Sequence, residues 1–395
     1  MYNPLYARTP FDKNCLWTGE IVMNHTFCVP CLLGLEGPIA GELRHLKLQN
    51  VAAENGRVYF SGGPEDAARA NVNLRCGERV LLELGRFEAT SFDQLFEGVK
   101  ALPWESLLPK NAAFPVKGHS LNSKLFSVSD CQKIVKKAIA ERMKRAYPGL
   151  SWLPEDGPVY QVQFQLMKDV VSVCVDTTGE ALYKRGYRPA HNAAPLRETL
   201  GAALVTLSGY RGREDFADPF CGSGTIPIEA ALIAKNRAPG LKRDFAAMRW
   251  PGFDKKIWDA AREEARSREF HGDYRIFASD ADPKAVALAR ENAKRAGVDD
   301  VVRFEVADAA AFARPTERGI LVTNPPYGER LGDRKEAEAI YAAFGKAYFA
   351  QPNWKLDLLS AHPDFERAFG KSADKKRKLY NSMLLCYLYM YNSNP

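Results

Sequence analysis

Residues 216–235 read FADPFCGSGTIPIEAALIAK, and this stretch decides how the chain folds. A short strand is predicted over 216–220 and an apolar helix over 225–235, with two glycines between them. Gly222 and Gly224 allow the backbone to turn tightly and to approach a ligand where the helix begins. The pair lacks the third glycine of a dinucleotide fingerprint and the Gly-Lys-Ser/Thr of a P-loop. It suits a nucleoside with a short tail better than a pyrophosphate. Downstream, strands are predicted over 275–279, 301–306, 320–322 and 355–359, and an apolar, aromatic strand over 382–391. A helix is predicted over 283–296, with Pro283 in its first turn and Gly297 past its end. Strands alternating with helices predict a parallel, doubly wound sheet with ligands at its carboxyl edge.

Upstream the units are smaller. Helices are predicted over 36–48, from Pro64 onward, over 91–102 behind a Ser91 cap, and over 127–147, where Pro148-Gly149 ends the last. Strands are predicted over 57–61, 79–87 and 114–119. Tyr160, Val162, Phe164 and Leu166 then alternate with Gln161, Gln163 and Gln165, the period of a half-buried strand. Lys168-Asp169 turns it into 170–175 as an antiparallel hairpin.

A chain of 395 residues exceeds what one core supports, roughly 250–300 residues, and implies two or three domains. Its 46% hydrophobic and 26% charged residues are those of a soluble globular protein. No apolar run approaches the ~20 residues of a membrane span. Residues 1–20 read as a poorly patterned leader with no basic-then-apolar signal, so the cytoplasm is the expected compartment. Eight cysteines are too dilute for a disulfide scaffold. The close pair Cys28 and Cys31 has no partner pair at zinc spacing, so ordinary thiols and no metal are expected. The net charge of +7 resides in 110–150, where nine Lys/Arg face only Asp130 and Glu141. Such a patch predicts a polyanion partner. The stripe of Ile134, Ala138, Ile139 and Met143 suits a solvated helix face equally well.

Acids stand at the strand ends. Asp280 closes the second strand in FASDADP, where a carboxylate can accept both hydroxyls of a ribose. Asp308 closes the third in EVADA, near where an adenine amino group would lie, and Asp218 could accept from a cationic amine. Each alone could be a helix cap; three on successive strands argue for a cofactor. The interval from Asp218 to Asp280 far exceeds the roughly twenty residues of the dinucleotide fingerprint. The excess, 236–273, carries Arg243, Arg249, Trp250, Lys255, Lys256 and Trp258, and is expected either to touch substrate or to cover the sheet.

The strand at 320–322 runs into Asn324-Pro325-Pro326-Tyr327. Two prolines cannot continue a ladder, since neither donates an N–H. They can hold the Asn324 side-chain carbonyl and the Pro325 backbone carbonyl rigidly. An exocyclic amine on a nucleobase is a poor nucleophile, its lone pair being delocalised into the ring. Two acceptors gripping its hydrogens would aim that lone pair at a methyl donor, which is catalysis by positioning and electrostatics. Tyr327 offers a flat face for a flipped base.

Here the chain resembles a known family. NPPY resembles the amino-methylating motif of S-adenosylmethionine-dependent methyltransferases, and DPFCGSGT resembles their cofactor loop. With LYKRGYR and APLRETLGAAL, the order of motifs from about Cys28 to the C-terminus is similar to one narrower group. That group is the bacterial 23S ribosomal RNA guanine N2-methyltransferases with an N-terminal THUMP domain. The resemblance implies an α/β fold class: a Rossmann-like, seven-stranded class I methyltransferase domain over 179–395. A ferredoxin-like region at 21–75 and a THUMP RNA-binding domain at 76–178, together an α+β region, would precede it. The implied cofactor is S-adenosylmethionine. Asp218, Phe220, Cys221, Gly222, Ser223, Gly224 and Thr225 would line its methionine end, Asp280 its ribose and Asp308 its adenine. Arg197 and Thr199 would lie near the methionine carboxylate or the substrate. Asn324, Pro325, Pro326 and Tyr327 would form the catalytic base pocket. Lys124, Lys133, Lys136, Lys137, Lys184, Arg185 and Arg188 would contact RNA. The chain departs from the pattern in KLYNSML, where Ser382 stands at a position expected to be glycine.

NPPY does not separate guanine from adenine. Guanine in transfer RNA and adenine in DNA are therefore rivals, with the basic surface favouring RNA. Cytosine carbon-methylation needs a cysteine nucleophile, commonly in Pro-Cys; Cys221 sits in the cofactor loop, and that reading is rejected. A non-catalytic RNA-binding or ribosome-assembly protein is the rival of another class. It would be expected to lose the glycines, the acids or the asparagine, and all are present.

Overall fold

The computed structural model describes residues 25–149, 152–188, 196–328, 331–351 and 353–392. The leader predicted over 1–20 lies outside them. Two seven-stranded sheets organise the rest. The first is built from β1 (His25–Pro30), α1 (Glu36–His45), β2 (Gln49–Glu54), β3 (Arg57–Gly62), α2 (Pro64–Asn73) and β4 (Leu81–Glu88). It continues with α3 (Phe92–Lys100), α4 (Trp104–Leu107), β5 (Val116–Leu121), α5 (Val128–Ala146), β6 (Val162–Met167) and β7 (Val170–Asp176). Its strand order is β2-β3-β1-β4-β7-β6-β5. Strand β4 pairs with β1 on one side and β7 on the other, so the ferredoxin-like and THUMP regions share one continuous sheet. Lys168 and Asp169 both take positive φ, 50° and 64°, the two-residue turn that matches strand twist. Along β6 the apolar residues are buried and Gln163 and Gln165 half-buried, as their alternation requires.

The second sheet carries α6 (Glu198–Leu207), β8 (Asp215–Asp218), α7 (Thr225–Ala234), α8 (Lys255–Ser267), β9 (Ile276–Asp280), α9 (Pro283–Ala296) and β10 (Val302–Val306). After these come β11 (Gly319–Thr323), α10 (Leu331–Phe349), β12 (Trp354–Ser360), α11 (Phe365–Phe369), β13 (Lys375–Asn381) and β14 (Leu384–Tyr391). The order is β10-β9-β8-β11-β12-β14-β13. Five strands are parallel, as expected. The expectation of a wholly parallel sheet is corrected at β13 and β14. They form an antiparallel hairpin, and β14 runs against β12, because Ser382-Met383 is far too short for a crossover. The parallel strands bring Asp218, Asp280, the chain after Val306 and the chain after Thr323 to one edge.

The stretch 236–273 packs against the N-terminal half. It joins the two halves. Helix α8 packs on α2, and Glu264 grips the Arg69 guanidinium at 2.8 Å. Trp258 is buried and stacks on Phe245 at 5.0 Å. Trp250 stacks on Tyr160 of the N-terminal half at 4.4 Å and donates its indole N–H to the Val159 carbonyl. Backbone bonds from Gly240 to Val72 and from Ala246 to Thr178 complete the seam. Among the described residues no helix is long and apolar enough to cross a membrane.

Candidate active site

The end of β8 and the start of α7 hold the glycine loop. Gly222 and Gly224 have φ of 51° and 86°, the left-handed region that a side chain disfavours. Gly224 caps α7, and a Cβ there would meet Ala289 of α9 at 3.0 Å, so the glycine also permits close helix packing. Around Gly222 the space is open. Asp218 is buried; one oxygen accepts from Thr323 Oγ1 at 2.6 Å and from the Phe220 N–H at 3.1 Å. Burial pushes this carboxyl up to about 7 while the Thr323 bond pulls it down. Asp280 accepts from the Gly222 N–H at 2.9 Å and the Asp282 N–H at 3.0 Å, fixing the loop to the end of β9. Asp308 is exposed and caps the short 3-10 turn Ala309–Ala311 through Ala310 N–H, 2.8 Å. Asn292 of α9 donates to the Ser223 carbonyl at 2.9 Å.

Asn324 follows β11 directly beside this loop, because β11 lies between β8 and β12. The Tyr327 hydroxyl donates to Asn324 Oδ1. Tyr341 of α10 donates to the Pro326 carbonyl at 2.5 Å. Pro325 is buried and Pro326 exposed. Tyr327 is half-buried, and its hydroxyl, pushed up chiefly by burial, lies against the Cys386 thiol and the Asn381 side chain. Thr323, which locks Asp218, immediately precedes Asn324. Glycine loop and acceptor motif are thus one hydrogen-bonded unit.

A family model for the "RMKL-like, methyltransferase domain" matches residues 185–390, just over half of the chain. Models of the "RlmL ferredoxin-like domain" and the "THUMP domain" match 26–81 and 89–176. The chain is 42% identical to "Putative RNA methyltransferase YpsC" of Bacillus subtilis, over 93% of this chain and 96% of that one. It belongs to the RMKL-like methyltransferase family. It is also 33% identical to "Ribosomal RNA large subunit methyltransferase K/L" of Marinobacter nauticus, over 94% of this chain and 53% of the relative. The chain therefore spans about half the length of such K/L relatives. Among solved structures, "SMU.472, a putative methyltransferase complexed with SAH" matches at 39% identity and a TM-score of 0.89, covering 95% of this chain and 100% of that one. A Listeria monocytogenes structure titled as "a predicted N6-adenine-specific DNA methylase" matches at 42% and 0.89, covering 94% and 97%.

S-adenosylmethionine is the cofactor of this methyltransferase domain. The residues present fit it. Among the described residues no cation neighbours the buried Asp218, whose carboxyl is pushed up, and the open, left-handed Gly222 leaves room beside it. Asp280 and Asp308 stand at the ends of the next two strands.

Other predicted residues fall elsewhere. Arg185 is corrected: it is buried, bonded to Glu229 and to the carbonyls of Leu74, Arg75 and Leu182, so it cannot reach RNA. Arg188, expected to contact RNA, is half-buried; it pairs with Glu198 and donates to Thr225 Oγ1 at 3.4 Å. Thr199, expected near cofactor or substrate, is buried and donates to Glu78 at 2.7 Å. Arg197 lies 3.5 Å from the same carboxylate and over the Tyr183 ring. Both belong to the seam. Lys184 is exposed and pairs with Glu180. On α5, Lys133 pairs with Asp130, Lys136 with Glu155, and Lys137 lies over the Phe96 ring. Lys124 is exposed. Pro30-Cys31, the chain's one Pro-Cys dipeptide, ends β1 in the other sheet. Sequence reasoning missed Thr323, Asn292, Glu229 and Tyr341, whose partners lie far along the chain.

Proposed function

We propose that the chain transfers a methyl group from S-adenosylmethionine to the exocyclic 2-amino group of a guanine in 23S ribosomal RNA. The observation that carries this is the bond from Thr323 to Asp218, which fixes the Asn324 motif against the cofactor loop. The cofactor supplies an electrophilic methyl group. The chain's own part is to bind, orient and aim. Asn324 Oδ1 has two lone pairs; Tyr327 takes one and so fixes which end of the amide faces it, leaving the second for an amino hydrogen. The Pro325 carbonyl, stiffened by two prolines, is the second acceptor. The THUMP match and the K/L relatives support RNA as substrate.

Purified protein, methyl-labelled S-adenosylmethionine and unmodified 23S ribosomal RNA, bulk transfer RNA or DNA test the reading side by side. The expected product is N2-methylguanosine from ribosomal RNA alone. Label in transfer RNA changes the partner, label on adenine in DNA changes the base, and label nowhere points to a binding role. Asn324→Ala should lower turnover by about a hundredfold or more while cofactor affinity stays within about twofold; equal loss of both would remove Asn324 from its role.

A further inference from the structure

We propose that the β13–β14 hairpin is an RNA-engaging finger, with Met383 as a wedge that stacks beside the extruded base. The inference rests on reading Asn324–Tyr327 as the pocket for an RNA base. Strand β14 runs against β12 with Tyr387 opposite Ser360, so the hairpin tip projects past the edge that carries Asn324. The tip also touches the motif, since Asn381 and Cys386 lie against the Tyr327 hydroxyl.

Met383 is 96% exposed, and Leu384 and Leu385 beside it are 39% and 38% exposed. Exposed apolar side chains grouped in this way mark a contact surface. A thioether adapts to the face of any base, and an apolar side chain can fill the gap that an extruded base leaves in its stack. The backbone beneath is short: Asn381 pairs with Leu384, and Ser382 takes a left-handed φ of 57°. Charge complementarity selects the occupant. Strand β13 reads KKRKLYN; Lys376 is held by Glu366 and Arg377 by the Gly34 carbonyl. Among the described residues neither Lys375 nor Lys378 forms an ion pair, and both are exposed, as contacts to a phosphate backbone require. Charge on an edge strand also prevents sheet-to-sheet pairing, but that needs no apolar tip.

A photoreactive residue tests the finger in the full chain: Met383→p-benzoylphenylalanine, irradiated with unmodified 23S ribosomal RNA. Phe270→p-benzoylphenylalanine is the control; Phe270 is 58% exposed and bonded to Lys235 past the C-terminus of α7, at the opposite edge. The expected result is a crosslink from position 383 to nucleotides flanking the methylated guanine, with none from position 270. Met383→Ala and Met383→Asp should lower kcat/KM for RNA about tenfold or more, with cofactor affinity unchanged. Unchanged turnover in both, or no RNA crosslink, overturns the finger. A crosslink from position 383 to protein instead of RNA in assembly particles overturns it too. If the unaltered chain labels no RNA, the functional reading has failed, and the crosslink alone decides whether the finger grips RNA.

Discussion

Burial pushes the Asp218 carboxyl up to about 7, so the free site holds a neutral acid at pH 6 and a carboxylate at pH 8. If Asp218 accepts from the cationic amine of the methionine end, affinity for S-adenosylmethionine should rise with pH below 7, by about tenfold per unit at the steepest. Calorimetry between pH 6 and 7.5 measures this, and Asp218→Asn should flatten the profile; a flat profile in the unaltered chain would remove the assigned contact. Asp357 of β12 makes a second case, one of stability. It is fully buried, neither oxygen accepts a hydrogen bond among the described residues, and Lys355 Nζ lies 3.6 Å away. Burial pushes it up to about 6 against the pull of Lys355. The folded value lies above the unfolded one, so its contribution is fully present below about pH 4 and is lost as pH rises through 6. Two units correspond to roughly 3 kcal/mol. Asp357→Asn should therefore resist denaturant better at pH 8, with the advantage roughly halved at pH 5 and gone below about pH 4; the same advantage throughout would mean that ionisation of this acid is not its cause. At this scale the motifs were legible because strand ends announce themselves through Gly, Pro and Asp. The burial of Arg185 was not legible because it depends on Glu229, which adjacent sequence does not reveal.

Elements with clear punctuation were read to the residue. Helix α9 runs from Pro283 to Ala296, and Gly297 takes φ 72° after it. Helix α6 escaped notice because eight of its ten residues are buried, which erases the 3.6-residue stripe. Helix α10 did carry a stripe, Ala337, Tyr341, Phe344 and Tyr348, that the reading passed over. Strand β13 was hidden by its lysines, which an edge strand tolerates and a propensity argument penalises. The turn after it carries a backbone cost. Ser382 occupies the left-handed region where glycine carries no penalty, and Ser382→Gly should stabilise the chain by about 1 kcal/mol. The denaturant midpoint reads this directly; a loss of stability would mean that the serine hydroxyl contributes more than the backbone costs.

At the scale of the whole molecule the two sheets share one apolar cluster, and buried polar contacts that sequence patterning does not expose cross the same seam. The Arg185 guanidinium is the clearest of them. It reaches from the second sheet's domain to the Leu74 and Arg75 carbonyls of the first and holds Glu229 of α7, the helix that begins at the cofactor loop. Tyr187 adds a bond to the same carboxylate at 3.1 Å. Removing one partner of such a pair leaves the other charge buried alone, whereas replacing both with apolar groups of similar volume is often neutral. Arg185→Ala should therefore cost about 3–5 kcal/mol in denaturant unfolding. The double change Arg185→Met with Glu229→Leu should recover most of it, since it leaves no orphaned carboxylate. A single change costing under about 1 kcal/mol would mean that the pair does not hold the sheets together. A double change as damaging as the single would mean that the carbonyl bonds of Arg185, rather than its charge, are what the seam requires.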